Sequence, residues 1–191
     1  MSEFTAPRTI IFGEGALEYL KEVEGKRALI VTDKVINKLG FVDKVAKYLK
    51  EVGMKVEVFD EVEPEPSVET VIKGAELAKK YGPDWFVGLG GGSCMDAAKA
   101  IWVLYECPDM EVQGINPFEK LGLRRKARLI CIPTTSGTGA EVTWGIVITD
   151  AKEERKMEVG SRENVPDIAI VDPELPKLMP SKLAADTGLD A

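Results

Sequence analysis

Short apolar runs alternate along this chain with stretches whose apolar residues recur every three to four positions. Residues 28–31 read as a buried strand ending at Thr32-Asp33, and Val42, Val45, Ala46 and Leu49 then mark one face of a helix. Lys55–Phe59 alternates as a strand does. Pro64-Glu65-Pro66-Ser67 breaks the chain and supplies an N-cap, and Val68, Val71, Ile72, Ala75 and Ala78 form the next helical stripe. A third strand, 85–89, runs straight into glycines, and a helix is predicted from Ser93 that carries Ala97, Ile101 and Leu104 inward. Residues 129–132 form a fourth strand stopped by Pro133. Residues 146–149 and 156–159 pair as a hairpin, and Ile168–Val171 is a further short strand.

Strand and helix in alternation build right-handed crossovers and a parallel sheet covered on both faces. The expected fold class is therefore α/β, a Rossmann-like parallel sheet flanked by helices.

Composition narrows the classes. The chain has 191 residues, 45% hydrophobic and 30% charged, a globular profile with room for one substantial domain. No apolar run approaches the roughly 20 residues of a membrane span. Met1-Ser2-Glu3-Phe4 lacks the basic and apolar regions of a signal peptide, so a cytoplasmic protein is expected. A net charge of -7 with dispersed Lys and Arg argues against nucleic-acid binding, and no basic helix suggests membrane binding. Cys94, Cys107 and Cys131 lack metal-site spacing and fit reduced thiols. Scarce amides (Asn37, Gln113, Asn116, Asn164) beside abundant Glu and Lys suggest a thermophilic source. The chain contains no histidine, which excludes serine-histidine and cysteine-histidine hydrolases.

The densest local signal is Gly88-Leu89-Gly90-Gly91-Gly92-Ser93, between a strand and a helix. Glycines there let backbone N–H groups approach a diphosphate, and a helix N-terminus adds orphan donors and partial positive charge. The plainer alternative is a tight turn with Ser93 as N-cap and Asp96 completing a capping box. No lysine follows as in a P-loop, and Ser93 stands where G-x-G-x-x-G ends. Asp33, ending a strand, can accept hydrogen bonds from a ribose or simply cap a turn. A second polar loop, Pro133-Thr134-Thr135-Ser136-Gly137-Thr138-Gly139-Ala140-Glu141, follows the fourth strand and is either ligand-facing or a plain connection. Cys94 reads as a packing residue beside the glycines, with a thiolate redox sensor as the alternative. Trp85, Trp102 and Trp144 read as core or interdomain packing, and Glu65 is expected near the adenine end of a nucleotide.

Gly90-Gly91-Gly92-Ser93-x-x-Asp96-x-x-Lys99, then the 133–141 run, then Asp172-Pro173 and Thr187-Gly188-x-Asp190-Ala191, occur in that order. Together they resemble the iron-containing (group III) alcohol dehydrogenases over essentially the whole chain. The resemblance implies a dinucleotide-binding α/β domain of dehydroquinate synthase-like type over 1–180, with 181–191 opening an all-helical metal-binding domain. It also implies hydride transfer between a small alcohol or aldehyde and NAD(P), and a homo-oligomer.

By the same resemblance Asp33 faces the adenosine ribose, and Gly90, Gly91, Gly92 and Ser93 hold the pyrophosphate. Asp96, Thr134, Thr135 and Thr138 line the nucleotide, and Lys156, otherwise plain surface charge, reaches the nicotinamide-side ribose. Asp190 matches the first ligand of an Fe²⁺ or Zn²⁺ whose other ligands are histidines. Asp33 favours NAD, with NADP not excluded, since a carboxylate repels a 2′-phosphate. Ala140 departs from the serine frequent in the family. The chain stops one residue after Asp190, before any histidine, and reads as a truncated cofactor half without turnover of its own. Two alternatives stay open: a glycerol dehydrogenase or dehydroquinate synthase relative, and a catalytically inactive nucleotide-binding module.

Overall fold

In the computed structural model, which describes residues 4–151 and 153–191, six parallel strands form one sheet in the order β1-β8-β5-β4-β2-β3. They are β1 (Thr9–Phe12), β2 (Arg27–Val31), β3 (Lys55–Phe59), β4 (Trp85–Gly90), β5 (Arg128–Pro133) and β8 (Ile168–Val171). The expected hairpin is present as a separate antiparallel pair, β6 (Gly145–Asp150) and β7 (Arg155–Gly160). The helices are α1 (Lys34–Lys38), α2 (Phe41–Glu51), α3 (Val68–Tyr81), α4 (Gly92–Glu106) and α5 (Ser181–Asp190). Among the described residues no helix is long and apolar enough to cross a membrane.

The central strands are apolar throughout because both sheet faces are covered. Leu29, Val31, Phe86, Leu129 and Cys131 pack toward α3 and α4, with Ala97, Ile101 and the fully buried Trp102. Their neighbours in sequence, Ala28, Ile30, Val87, Leu89, Ile130 and Ile132, point the other way onto Val42, Val45 and Leu49 of α2 and Leu17 and Leu20 of a 3-10 turn. Trp85 is likewise buried, whereas Trp144 is partly exposed.

β1 is absent from the sequence-based expectation. It is four residues long, sits at the sheet edge, and leaves Ile10 and Phe12 exposed. Among the described residues its strand partner is β8, with Thr9 opposite Ile168, so its place depends on a distant segment. At the opposite end of the chain, α5 begins at Ser181.

The sheet order reverses between β2 and β4. The chain leaves β2 for its outer neighbour β3 and then crosses back to β4 on the other side. Such a switch point opens a crevice beyond the carboxyl ends of the strands. The Thr32 hydroxyl donates to the Leu89 carbonyl at 2.8 Å and ties the two strand ends together there.

Candidate functional site

Three loops meet above that crevice: Asp33 after β2, Gly90–Ser93 after β4, and 134–139 after β5. The last is held against the second by Thr134 N–H donating to the Gly90 carbonyl at 2.9 Å. They wall a cavity of about 690 Å³ containing Asp33, Gly91, Gly92, Ser93, Thr134, Thr135 and Thr138. Its far side is apolar, with Val35, Leu39, Leu175, Leu178 and Leu183. Thr134 is buried, Thr135 half-buried, and Thr138 exposed on the rim.

Gly90 is required by geometry, whereas Gly91 and Gly92 keep the space between the loops open. Gly90 has φ 147°, and a Cβ there would lie 2.6 Å from Cys94 Sγ. Cβ atoms on Gly91 and Gly92 would stand 3.5 and 3.2 Å from the Thr135 and Thr138 side chains, filling the space between the loops. α4 starts at Gly92, one residue earlier than expected, and its N-cap is Gly91. That cap makes no side-chain hydrogen bond, and no acid occupies the first turn. The Ser93-Asp96 capping box is therefore not formed, and the helix presents open amides and partial positive charge to an anion.

Asp33 caps a helix, the plainer of its two readings, and also faces the cavity. Oδ1 accepts from the Val35 and Ile36 amides at 2.7 and 2.8 Å, capping α1, while the carboxylate also lines the cavity. Oδ2 accepts from the Cys94 thiol at 3.4 Å. Burial, and then the Asp33 charge, push the Cys94 thiol far above its ordinary range, so it stays protonated. That opposes the thiolate expected at a helix N-terminus.

A second cavity of about 730 Å³ lies on the hairpin side and shares Gly92, Ser93 and Thr138 with the first. Asp96 lines it but is largely occupied with structure: Oδ2 accepts from the Val147 amide at 3.0 Å. Lys99, 0% exposed, donates to the Gly145 carbonyl at 2.9 Å and lies 3.6 Å from Asp96 Oδ1. Further along the same strand, the Thr149 amide donates to the Pro66 carbonyl at 2.8 Å. Two side chains and one carbonyl thus cover the free edge of β6, which would otherwise expose unpaired backbone groups. Burial raises the Asp96 carboxyl despite the opposing pull of Lys99. The clamp was only partly legible, since Asp and Lys at i, i+3 mark one helix face without saying what they hold.

Lys156 is not brought into either cavity wall. It is exposed and pairs with Glu65 at 2.5 Å. Glu65 itself lines the hairpin-side cavity and not the cavity that contains Asp33. The reason is local: Glu65 turns in a left-handed conformation, φ 59°, and faces β7. The side chain of Asp190 lies outside the described residues. With no histidine in the chain, and no cluster of three or more His, Cys, Asp or Glu among the described residues, the residues present do not by themselves fit a metal.

A family profile described as iron-containing alcohol dehydrogenase matches residues 7–173. This chain belongs to the iron-containing alcohol dehydrogenases. The NADPH-dependent butanol dehydrogenase of Clostridium saccharobutylicum is 50% identical over 193 residues, covering 100% of this chain and 50% of its own. A solved 1,3-propanediol oxidoreductase matches with TM-score 0.92 at 34% identity, covering 100% of this chain and 50% of that one. Sulfoacetaldehyde reductase from Bifidobacterium kashiwanohense, solved in complex with NAD+, matches with TM-score 0.88 at 31% identity, over 100% and 51%. The chain spans about half the length of each of these relatives.

Proposed function

We propose that this chain is the dinucleotide-binding part of a metal-dependent alcohol dehydrogenase acting on small alcohols or aldehydes. The observation that carries the proposal is the uncapped glycine N-terminus of α4, set at the sheet's switch point beside a carboxylate. The bound nicotinamide coenzyme supplies the hydride acceptor or donor.

The chain's own residues bind and orient. Gly90, Gly91, Gly92 and Ser93 receive the pyrophosphate, and Asp33 receives the adenosine ribose. Thr134 and Thr135 line the adenosine lobe, and Thr138 stands between the two lobes. Asp96 holds the hairpin that walls the nicotinamide side, and Lys156 serves the ribose there once released from Glu65. Residues 1–180 form this domain, and 181–191 open a helical one in which Asp190 would be one ligand to Fe²⁺ or Zn²⁺, beside histidines that this chain does not contain. The names of the relatives favour this reading over a glycerol dehydrogenase or dehydroquinate synthase. The three free cysteines are consistent with a reducing cytoplasm.

NAD is favoured over NADP by the rim of the first cavity. Asp33, Asp60, Glu61 and Glu63 line it with Lys34, and Lys73 pairs with Glu61 at 3.7 Å, so acids still outnumber cations around it. A 2′-phosphate there meets like charge from several sides. Both coenzymes occur among the relatives, one NADPH-dependent and one bound to NAD+. Titration calorimetry with each dinucleotide tests the proposal. Saturable NAD binding, tighter than NADP, is expected. No heat from either at millimolar concentration overturns the function, and tighter NADP overturns the coenzyme preference.

A further inference from the structure

We infer that the Cys94 thiol is a positioning residue that fixes the Asp33 carboxylate against the ribose and thereby sharpens the preference for NAD. The inference rests on the dinucleotide reading above and goes on to say how its selectivity is set.

Cys94 occupies the first turn of α4 and is 2% exposed, beneath the backbone of Gly90. Its side chain bridges the two loops that flank the switch point. The sulfur packs where a Gly90 Cβ would fall, and the S–H points across to Asp33 Oδ2. The two carboxylate oxygens are thus held by different elements. Oδ1 belongs to α1, through two backbone amides, and Oδ2 belongs to α4, through the thiol alone among the hydrogen bonds seen.

Without the thiol, coupled rotation about Cα–Cβ and Cβ–Cγ lets the carboxylate pivot on Oδ1, which the two amides still hold, and Oδ2 shifts. A carboxylate free to turn loses part of its grip on a 2′-hydroxyl. It also relieves part of its repulsion of a 2′-phosphate, so both changes lower the ratio of NADP to NAD dissociation constants. The net worth of an ordinary hydrogen bond, which a weak thiol donor does not exceed, sets the scale at about three- to tenfold in that ratio. Serine keeps a donor at the same place and a similar size. Alanine and valine do not keep the donor, and valine fills the volume.

The test measures dissociation constants for NAD and NADP in the wild type, Cys94→Ala, Cys94→Val and Cys94→Ser, with melting temperatures to identify folded variants. The expected result is a fall in the ratio for Ala and Val, restoration by Ser to within about twofold, and no further change when Cys94→Ala is added to Asp33→Asn. If Ala unfolds, Val carries the comparison. Equal ratios for Ser and for the variants lacking a donor overturn the inference. So does an Ala effect that persists in full on Asp33→Asn, because packing alone then explains it. A wild type that binds NADP more tightly than NAD overturns it while leaving the dinucleotide reading intact. A wild type that binds neither removes both.

Discussion

Gly92 is the residue at which the phosphate-binding reading can be separated from stability. Its backbone is not in the left-handed region, so a Cβ brings no conformational strain. That Cβ would come within 3.2 Å of the Thr138 methyl and intrude on the space between the loops. Gly92→Ala is therefore expected to weaken dinucleotide binding by roughly tenfold, about 1.4 kcal/mol, with the melting temperature nearly unchanged. Calorimetry paired with a thermal melt decides it, and a large loss of stability with intact binding would place the glycine's role in folding. At this scale the sequence was informative where a residue's chemistry is local. The glycine run and the cap at Asp33 could be read directly. The Cys94 contact could not, because it spans 61 positions and depends on how β2 and β4 lie side by side.

Elements were legible where periodicity reports burial on one or two sides. α2, α3, β2 to β5 and the hairpin follow from their apolar patterns, whereas β1 needed β8 to become a strand. Equally hidden was the 121–123 loop, whose three amides donate to one carboxylate, Glu163, some forty positions away. The start of α3 offers a test of pH dependence. Glu63 accepts from the Ser67 amide and the Thr70 hydroxyl just where the helix is capped. Burial raises its carboxyl, but the hydrogen bonds from Ser67 and Thr70 outweigh it and hold the group below its ordinary 4.5. A depressed folded value means that the stabilisation is present above about pH 4.5 and is lost as pH falls through the lower folded value. Melts of wild type and Glu63→Gln across the acid range should therefore differ most near neutrality and converge toward the acid end. A gap that widens with acidification would contradict the assigned shift.

For the whole molecule, the surface near the C-terminal segment is unusually apolar. Leu178, Leu183 and Leu189 are 58%, 42% and 90% exposed. Apolar surface of this kind finds cover, and self-association in sedimentation velocity is the expected outcome. Leu183→Ser with Leu189→Ser should shift the distribution toward monomer. A wild type that stays monomeric at high concentration would count against the homo-oligomer expected from the resemblance.

The two cavities share Gly92, Ser93 and Thr138 in their walls, so on the dinucleotide reading each half of the coenzyme takes one cavity and those residues form the neck between them. AMP and nicotinamide mononucleotide should consequently reside on one molecule at once, neither displacing the other in a competition titration. Joined through a pyrophosphate, the same two fragments gain from tethering, and the intact coenzyme should outbind either piece by far more than their individual affinities suggest. Mutual exclusion of the fragments would mean that the neck is no boundary and that a single compartment does all the holding.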